Sequence, residues 1–264
     1  MLTGRFYKKR DKTHRLNLCI SDATTIKQKN QHERNADKSK RDGSLCTFFC
    51  EKKQVDKNKY DIIRLKMERC AEALRSNNMY CECVDSTEEA LDVIESLMNE
   101  GDTVTVGGSV TLFETGIIDM LREGSYNFLD RYAPGADVQG IYEKAFTSDV
   151  YLMSSNAITE NGELYNVDGN GNRVAALVWG PKSVIVVAGY NKIVKDIDEA
   201  KTRVREIAAP SNAARLGCDT PCTKTGHCMD CSSSKRICAT TVITGRQRVE
   251  NRIKVILVGE ELGY

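Results

Sequence analysis

The sequence contains little proline and no long apolar run. It has four prolines among 264 residues, which excludes collagen-like and proline-rich disordered proteins. No run of roughly eighteen apolar residues is present, and the N-terminus lacks the apolar core of a signal peptide. We therefore expect a cytoplasmic protein without a membrane span. With 41% hydrophobic residues, the chain is long enough to bury a complete α/β core.

Histidine and tryptophan are also scarce. Beyond residue 32 the only histidine is His227, so a Ser-His-Asp or Cys-His catalyst would have to use that residue. No nucleophile-elbow motif is present, which argues against a hydrolase. The single Trp179 and the tyrosines form no stacking stripe of the kind that binds single-stranded nucleic acid.

The net charge is +1, but the charges are unevenly distributed. Residues 1–53 contain fourteen Lys or Arg against six Asp or Glu. This segment shows little hydrophobic periodicity, so we interpret residues 1–54 as a basic, disordered extension. Such a tail can contact nucleic acid or anionic lipid, although a solvated extension or an over-long translated start has the same composition. Because the remainder of the chain is acidic, nucleic acid is not expected to be the main partner.

From residue 55 onward, helix and strand patterns alternate. Apolar residues recur at helical spacing over 58–77, and Ser86 with Glu89 forms a capping box before another helix. Short β-branched runs predict buried strands, and Asn161-Gly162 predicts a hairpin turn. We therefore predict an α/β fold with a mostly parallel sheet flanked by helices. Further predicted elements are strands at 80–84, 103–106, 126–131, 149–154 and 183–188, a broken helix over 110–122, and helices at 138–146 and 172–179.

Ligands of open α/β folds bind beyond the carboxyl ends of the strands, and three segments are predicted to lie there. The first is Val106-Gly-Gly-Ser-Val-Thr-Leu112, a strand followed by a glycine pair and a helix. Glycines allow backbone N–H groups to approach an anion, and hydroxyl groups add further donors. A tight turn with positive φ is the alternative explanation, because the spacing matches neither a P-loop nor a dinucleotide-binding motif. The ligand-binding candidates here are Gly107, Gly108, Ser109 and Thr111.

The other two segments are 154–159 and 166–173. In the latter, Asp168 is a candidate acid or base, and Arg173 is a candidate clamp because a guanidinium group binds carboxylate or phosphate in a bidentate manner. Glu114 is a further candidate catalytic carboxylate. Turn formation and helix capping are the alternative explanation for this Asn-, Asp- and Gly-rich sequence. Together the segments predict a site for a small anionic metabolite, with ligand-binding candidates Asn156, Thr159, Asp168, Asn172 and Arg173.

Five of the eleven cysteines lie between residues 218 and 238. In a reducing compartment such a cluster indicates metal ligands or redox groups before disulfides. The predicted ligands are Cys222, Cys228, Cys231 and Cys238, with Cys218 as an alternative ligand. Four thiolates suit tetrahedral zinc or an iron–sulfur cluster equally well. We assign residues 55–210 to the α/β domain, and residues 211–264 to a cysteine-rich metal-binding segment and the closing strands of the same domain.

These segments together resemble the lactate-utilisation (LUD) domain family over roughly residues 57–264. The resemblance is closest to small stand-alone members with a cysteine-rich C-terminal tail. It implies a fold similar to that of ribose-5-phosphate isomerase, glucosamine-6-phosphate deaminase and the CoA transferases. The matching runs are Thr105-Val-Gly-Gly-Ser109, Ser155-Asn-Ala-Ile-Thr159 with Gly162, Asn172-Arg-Val174, Gly180-Pro-Lys182 and Gly189-Tyr-Asn-Lys-Ile-Val194.

The resemblance also implies a function. Other members act in operons that oxidise L-lactate to pyruvate, alongside iron–sulfur oxidoreductase subunits. We therefore expect an iron–sulfur redox subunit with a 4Fe–4S cluster, linked to the oxidation of lactate or another small organic acid, with such subunits as partners. The alternative is a zinc-stabilised metabolite-binding or isomerase/transferase-like protein without electron transfer.

Overall fold

The computed structural model describes residues 56–264. The predicted basic extension, residues 1–54, lies outside that range. The helices are α1 Lys57–Ser76, α2 Thr87–Ser96, α3 Val110–Glu114, α4 Ile117–Glu123, α5 Val138–Lys144, α6 Asn172–Trp179, α7 Ile197–Arg203, α8 Ala209–Arg215 and α9 Pro221–Thr225. The strands are β1 Tyr80–Val84, β2 Thr103–Val106, β3 Asn127–Phe128, β4 Val150–Met153, β5 Ala157–Thr159, β6 Leu164–Asp168, β7 Ser183–Gly189, β8 Ile193–Val194, β9 Thr240–Thr244 and β10 Ile253–Val258.

Six strands form a parallel sheet in the order β1-β10-β7-β4-β2-β3. The residues of β7 alternate between two apolar cores: Val184 and Val186 pack on one face, while Ile185 and Val187 pack on the other. Helices cover both faces, which explains why β7 is apolar throughout rather than alternating. The predicted α/β class, a mostly parallel sheet flanked by helices, is confirmed.

Four further strands form a small sheet in the order β8-β5-β6-β9. The antiparallel pair of β5 and β6 confirms the hairpin predicted at Asn161-Gly162. Gly162 has a φ of +77°, and a Cβ atom there would lie 2.6 Å from the backbone of Ala73. Glycine is therefore required at this turn both for its conformation and for the close approach of α1.

Local sequence patterns predicted most helix boundaries close to where the structure has them. Helix α1 begins and ends one residue before its predicted bounds, and the predicted broken helix is interrupted by Gly116, which has a φ of +76°. Half of the predicted capping box forms, because Ser86 Oγ accepts a hydrogen bond from the Glu89 backbone N–H at 3.2 Å. The Glu89 carboxylate accepts instead from the backbone N–H of Asp85, at 2.9 Å.

The strand predicted over 126–131 was too long, since β3 contains only Asn127 and Phe128. The Asp130 carboxylate accepts a hydrogen bond from the backbone N–H of Tyr132 at 2.8 Å. This side-chain contact turns the chain, as is common for aspartate, and ends the pairing at the sheet edge.

The C-terminal part of the chain contributes to both sheets. Strand β10 lies between β1 and β7 in the large sheet, and β9 pairs with β6 in the small one. The cysteine-rich stretch lies between α8 and β9, in the same compact unit as the two sheets. Across residues 56–264, every helix is too short or too polar to cross a membrane.

Candidate functional site

A cavity of about 250 Å³ lies beyond the carboxyl ends of β2 and β4 in the large sheet and of β6 in the small one. Carboxyl ends of parallel strands meet at one edge, so segments that are distant in sequence converge there. Most predicted ligand-binding residues line this cavity. Those that do are Gly108, Ser109, Thr111, Asn156, Asp168, Asn172 and Arg173.

Three predicted residues are placed elsewhere. Gly107 is buried and absent from the lining, whereas Thr159 is fully buried and donates a hydrogen bond to the Glu163 carboxylate at 2.9 Å in the hairpin. Glu114 is exposed and accepts a hydrogen bond from the backbone N–H of Gly263 at 2.6 Å. The structure therefore does not bring Thr159 or Glu114 into the cavity lining.

The glycine pair is explained by close approach rather than by backbone conformation. Neither Gly107 nor Gly108 has positive φ. A Cβ atom on Gly107 would lie 2.9 Å from the Tyr151 hydroxyl oxygen and 3.4 Å from Arg173 Cδ. A Cβ atom on Gly108 would lie 3.4 Å from a guanidinium nitrogen of Arg131. The pair thus lets two arginine side chains pack against the end of β2.

Arg173 and Asp168 form an internal network. The guanidinium group donates from Nε to Asp168 Oδ1 at 2.8 Å, and Asp168 Oδ2 accepts from the backbone N–H groups of Arg173 and Val174 at 3.0 and 3.1 Å. An arginine side chain has five N–H groups, and all of them have acceptors here. The four remaining N–H groups bond to oxygen atoms of Ser154, Asn156, Asn166 and Val167. Arg173 therefore orders the loops around the cavity, and its donors are not free for a ligand.

Asn156 connects this network to the cavity surface. Its side-chain oxygen accepts from Arg173 and from the backbone N–H of Val167, both near 2.9 Å. With the oxygen used internally, the amide nitrogen is the part left to serve a ligand.

Lys192 is the residue that sequence reasoning missed. It follows the end of β7, is 2% exposed and lines the cavity. Its Nζ donates to Thr111 Oγ1 at 2.8 Å and to Ser154 Oγ at 2.9 Å. Burial, together with the nearby guanidinium groups of Arg203 and Arg173, lowers the pKa of this amine to about 7. The sequence did contain one indication of this role. Lys192 lies between the apolar strand β7 and Ile193-Val194, and a lysine at such a position is expected to be buried.

Besides Arg173, three further arginines line the cavity. Arg131 packs over the ring of Tyr142 at 4.9 Å and donates to its hydroxyl group at 2.6 Å. Arg215 donates to the Asn212 side-chain oxygen at 2.6 Å. Arg236, from the cysteine-rich segment, is held by the backbone carbonyl of Cys231 at 2.6 Å. These side chains belong to three different parts of the chain, so their convergence depends on the fold.

The cysteine-rich segment contains five free, half-buried thiols. Cys228 and Cys238 line a second cavity, of about 180 Å³, together with Arg205 and Arg236. Cys222 lies next to Thr220, with 3.2 Å between its sulfur and the hydroxyl oxygen. Cys218 and Cys231 are likewise outside the lining of that cavity.

The cysteine side chains of this segment are suitable metal ligands, but their positions in the structure are not those of a metal site. Four thiolates in one short segment have the chemistry that zinc or an iron–sulfur cluster requires. Within residues 56–264, however, no three His, Cys, Asp or Glu side chains converge as metal ligands would. Binding either group would require the segment to bring its thiols together.

The fold and the cavity define an α/β protein with a cationic site at the carboxyl edge of a parallel sheet. The chain belongs to the LUD domain family, whose model matches residues 67–258, and the resemblance found in the sequence is thereby confirmed. It is accordingly a lactate-utilisation-associated protein.

Comparison with solved structures gives a match to a DUF162 family protein from Deinococcus radiodurans. The two chains are 13% identical with a TM-score of 0.44, and the match covers 74% of this chain and 98% of the other. No curated protein is significantly similar to this sequence.

Proposed function

We propose that this protein is a lactate-utilisation-type redox subunit that binds a small organic acid in the 250 Å³ cavity. Its cysteine-rich segment would hold an iron–sulfur cluster, which supplies electron transfer when bound. The observation that carries the acid-binding part is the charge of the cavity. Four cationic side chains line it without an acidic partner in the lining: Arg131, Lys192, Arg215 and Arg236.

The carboxylate of Asp168 is already bound by other groups of the protein. Asp168 is the single carboxylate side chain of the lining, and it is engaged by Arg173 and by two backbone N–H groups. Arg236 also has the carboxylate of Asp230 at 3.9 Å, outside the lining, which leaves Arg131, Arg215 and Lys192 as the cations that an anionic ligand would balance. Arginine in particular binds carboxylates through charge-assisted hydrogen bonds.

The size and polarity of the cavity favour a small ligand. Drug-sized ligands occupy apolar pockets of about 300–1,000 Å³, whereas this cavity is about 250 Å³ and is lined largely by polar groups. Hydroxyl and amide groups of Ser109, Asn156 and Asn172 add neutral donors beside the cations. This combination suits a short hydroxy or oxo acid.

The position of the cysteine-rich segment supports the redox part. Arg236 lines both cavities, and the backbone N–H of Ala239, next to Cys238, donates to the backbone carbonyl of Asp168 at 2.9 Å. A cluster assembled in this segment would therefore be adjacent to a bound acid. The iron–sulfur oxidoreductase subunits of the family would be its electron partners.

The acid-binding part is tested by calorimetric titration with L-lactate and with pyruvate. Arg131→Met is expected to weaken binding at least about tenfold, because it removes a cation of the lining. Arg122→Met is the matched control, since Arg122 pairs with Asp130 at 2.9 Å on the surface and is absent from the lining. Equal affinities for both variants and the unaltered protein would contradict the proposed site.

The redox part is tested by metal analysis and visible spectroscopy of protein purified without oxygen. Stoichiometric iron and sulfide with broad visible absorption, lost on replacing Cys222, Cys228, Cys231 and Cys238 by serine, would support it. A colourless protein with one tightly held zinc would instead favour the zinc-stabilised metabolite-binding or isomerase/transferase-like alternative.

A further inference from the structure

We infer that Lys192, Thr111 and Ser154 form the carboxylate subsite of the cavity, and that a proton is taken up when the acid binds there. This inference rests on the proposed function, because the ligand is the small organic acid named above. All three side chains are buried yet line the cavity, with exposed fractions of 2%, 0% and 4%. They come from three different places: the turn after β7, helix α3 and the end of β4.

Among residues 56–264 no carboxylate is hydrogen-bonded to the amine of Lys192, and Glu114 acts on it only through its charge. Across residues 56–264, the groups that bond to its Nζ are the two hydroxyl oxygens of Thr111 and Ser154. A buried ammonium group without a counter-ion is costly, so buried lysines are normally paired. The charged amine of Lys192 therefore lacks a hydrogen-bonded counter-ion among residues 56–264, and an anionic group in the cavity would supply one.

A second buried cation increases the imbalance. Arg203 is 8% exposed and donates to the backbone carbonyls of Asn191 and Asn156, at 3.0 and 2.6 Å. Carbonyl groups satisfy its hydrogen bonds but do not neutralise its charge. Lys192 and Arg173 line the cavity with Asp168 as the one carboxylate side chain of the lining, and Arg203, outside the lining, adds a further buried positive charge close to Lys192.

The two hydroxyl groups remain available to a ligand. Thr111 Oγ1 and Ser154 Oγ have backbone carbonyl acceptors only at 3.5 Å, so neither proton is held in a strong hydrogen bond. Each hydroxyl can accept from the amine and donate to a ligand oxygen. A carboxylate placed here would receive one charged and two neutral donors.

The backbone of Gly263 lies close to the amine and to Thr111. A Cβ atom on Gly263 would lie 2.6 Å from Thr111 Oγ1 and 3.4 Å from Lys192 Nζ. Gly263 is held there by Glu114 through its N–H and by Asn191 through its carbonyl group, at 2.6 and 3.2 Å. Lys192 nevertheless lines the cavity, with 2% of its surface exposed.

The charges that face Lys192 determine the sign of the proton linkage. Burial and the guanidinium groups of Arg203 and Arg173 lower its pKa to about 7, and Glu114 opposes them weakly. The free protein therefore carries a largely neutral amine above neutral pH. A carboxylate within hydrogen-bond distance favours the charged form and raises the pKa again. Binding is then accompanied by proton uptake, and affinity falls as the pH rises above neutrality.

The experiment is calorimetric titration of the full-length protein with pyruvate at about pH 8, in two buffers that differ in ionisation enthalpy. The unaltered protein is expected to take up close to one proton per pyruvate bound, and its affinity is expected to fall up to about tenfold for each further pH unit. Lys192→Met, which keeps the length of the side chain, is expected to take up no proton and to bind at least about tenfold more weakly.

Lys254→Met is the matched control. Lys254 is also partly buried and donates to a serine hydroxyl, that of Ser183, at 2.9 Å. It lies at the amino ends of β10 and β7, on the opposite edge of the sheet from the cavity. This variant is expected to retain both the affinity and the proton uptake of the unaltered protein.

The possible outcomes separate the two proposals. Pyruvate binding without proton uptake, or with equal affinity in Lys192→Met, would overturn the subsite while leaving acid binding in the cavity intact. Failure of pyruvate and L-lactate to bind the unaltered protein at all would overturn the proposed function itself. If sulfate binds with proton uptake and the carboxylates do not, the assignment to a carboxylate is wrong.

Discussion

The guanidinium group of Arg173 contacts the carboxylate of Asp168 at 2.8 Å through both Nε and Nη2. The same carboxylate accepts the first backbone N–H groups of α6. This pair joins the end of β6 to the start of α6 and, through the other donors of Arg173, to the loop after β4. The ion pair of Arg173 and Asp168 therefore shapes the cavity without itself having to contact a ligand.

Asp168→Asn is expected to lower the free energy of unfolding by about 3 kcal/mol, because it leaves a half-buried guanidinium group without its counter-charge. Urea unfolding at neutral pH measures this change. The control is Asp219→Asn, which removes an exposed partner of Lys224 and is expected to have no measurable effect. A similar result for both variants would mean that the Arg173 network does not stabilise the fold.

Gly107→Ala is expected to destabilise the protein by about 1–3 kcal/mol, because the new methyl group would displace the Tyr151 hydroxyl group and the Arg173 side chain. Gly245→Ala provides the comparison, since a Cβ atom there has no neighbour within 4 Å and the φ is not positive. Thermal unfolding of both variants distinguishes close packing from a general effect of glycine replacement. Equal stability of the two variants would contradict the packing argument.

The stability of the ligand-free protein is expected to rise with pH above neutrality through Lys192. The folded state has the depressed pKa, about 7, so between that value and the ordinary lysine pKa the unfolded state binds more protons. The contribution approaches about 1.4 kcal/mol per pH unit and is absent below neutrality, where both states are protonated. Urea unfolding of the unaltered protein and of Lys192→Met from pH 6 to pH 9 measures the difference. A difference that is independent of pH would contradict this prediction.

Thiol modification is expected to divide the cysteines into two groups in metal-free protein. Cys70 is fully buried with a pKa raised to about 12 by burial, so it is expected to resist alkylation without denaturant. The half-buried thiols between 218 and 238 are expected to react. After loading with zinc, or with iron and sulfide, Cys222, Cys228, Cys231 and Cys238 are expected to become protected, as mapped by mass spectrometry. Unchanged reactivity after loading would argue against those ligands.

Local patterns in the sequence were sufficient to predict the large sheet and most of the elements around it. Apolar runs such as that of β7, the Asn161-Gly162 turn and the helical spacing of α1 act over a few residues, and the structure follows them. The same reasoning placed Gly108, Asn156 and Asp168 near one another, because strand ends in a parallel sheet converge. The edge strand β3 was overestimated, since a side-chain contact from Asp130 ended it.

Only the tertiary structure decided what the charged residues do. Arg173 has the sequence features of an anion clamp, yet the fold surrounds it with acceptors from two segments, residues 154–156 and 166–168. Lys192 lies in one of the runs that resemble the family, but only folding buries it beside two hydroxyl groups, with no carboxylate among residues 56–264 hydrogen-bonded to it. Hydrophobic periodicity is a local property of the chain, whereas the compensation of a charge depends on groups that are distant in sequence. The sequence by itself therefore determined the α/β framework and the sheet edge at which the predicted site lies, and the fold determined which cations line the cavity there.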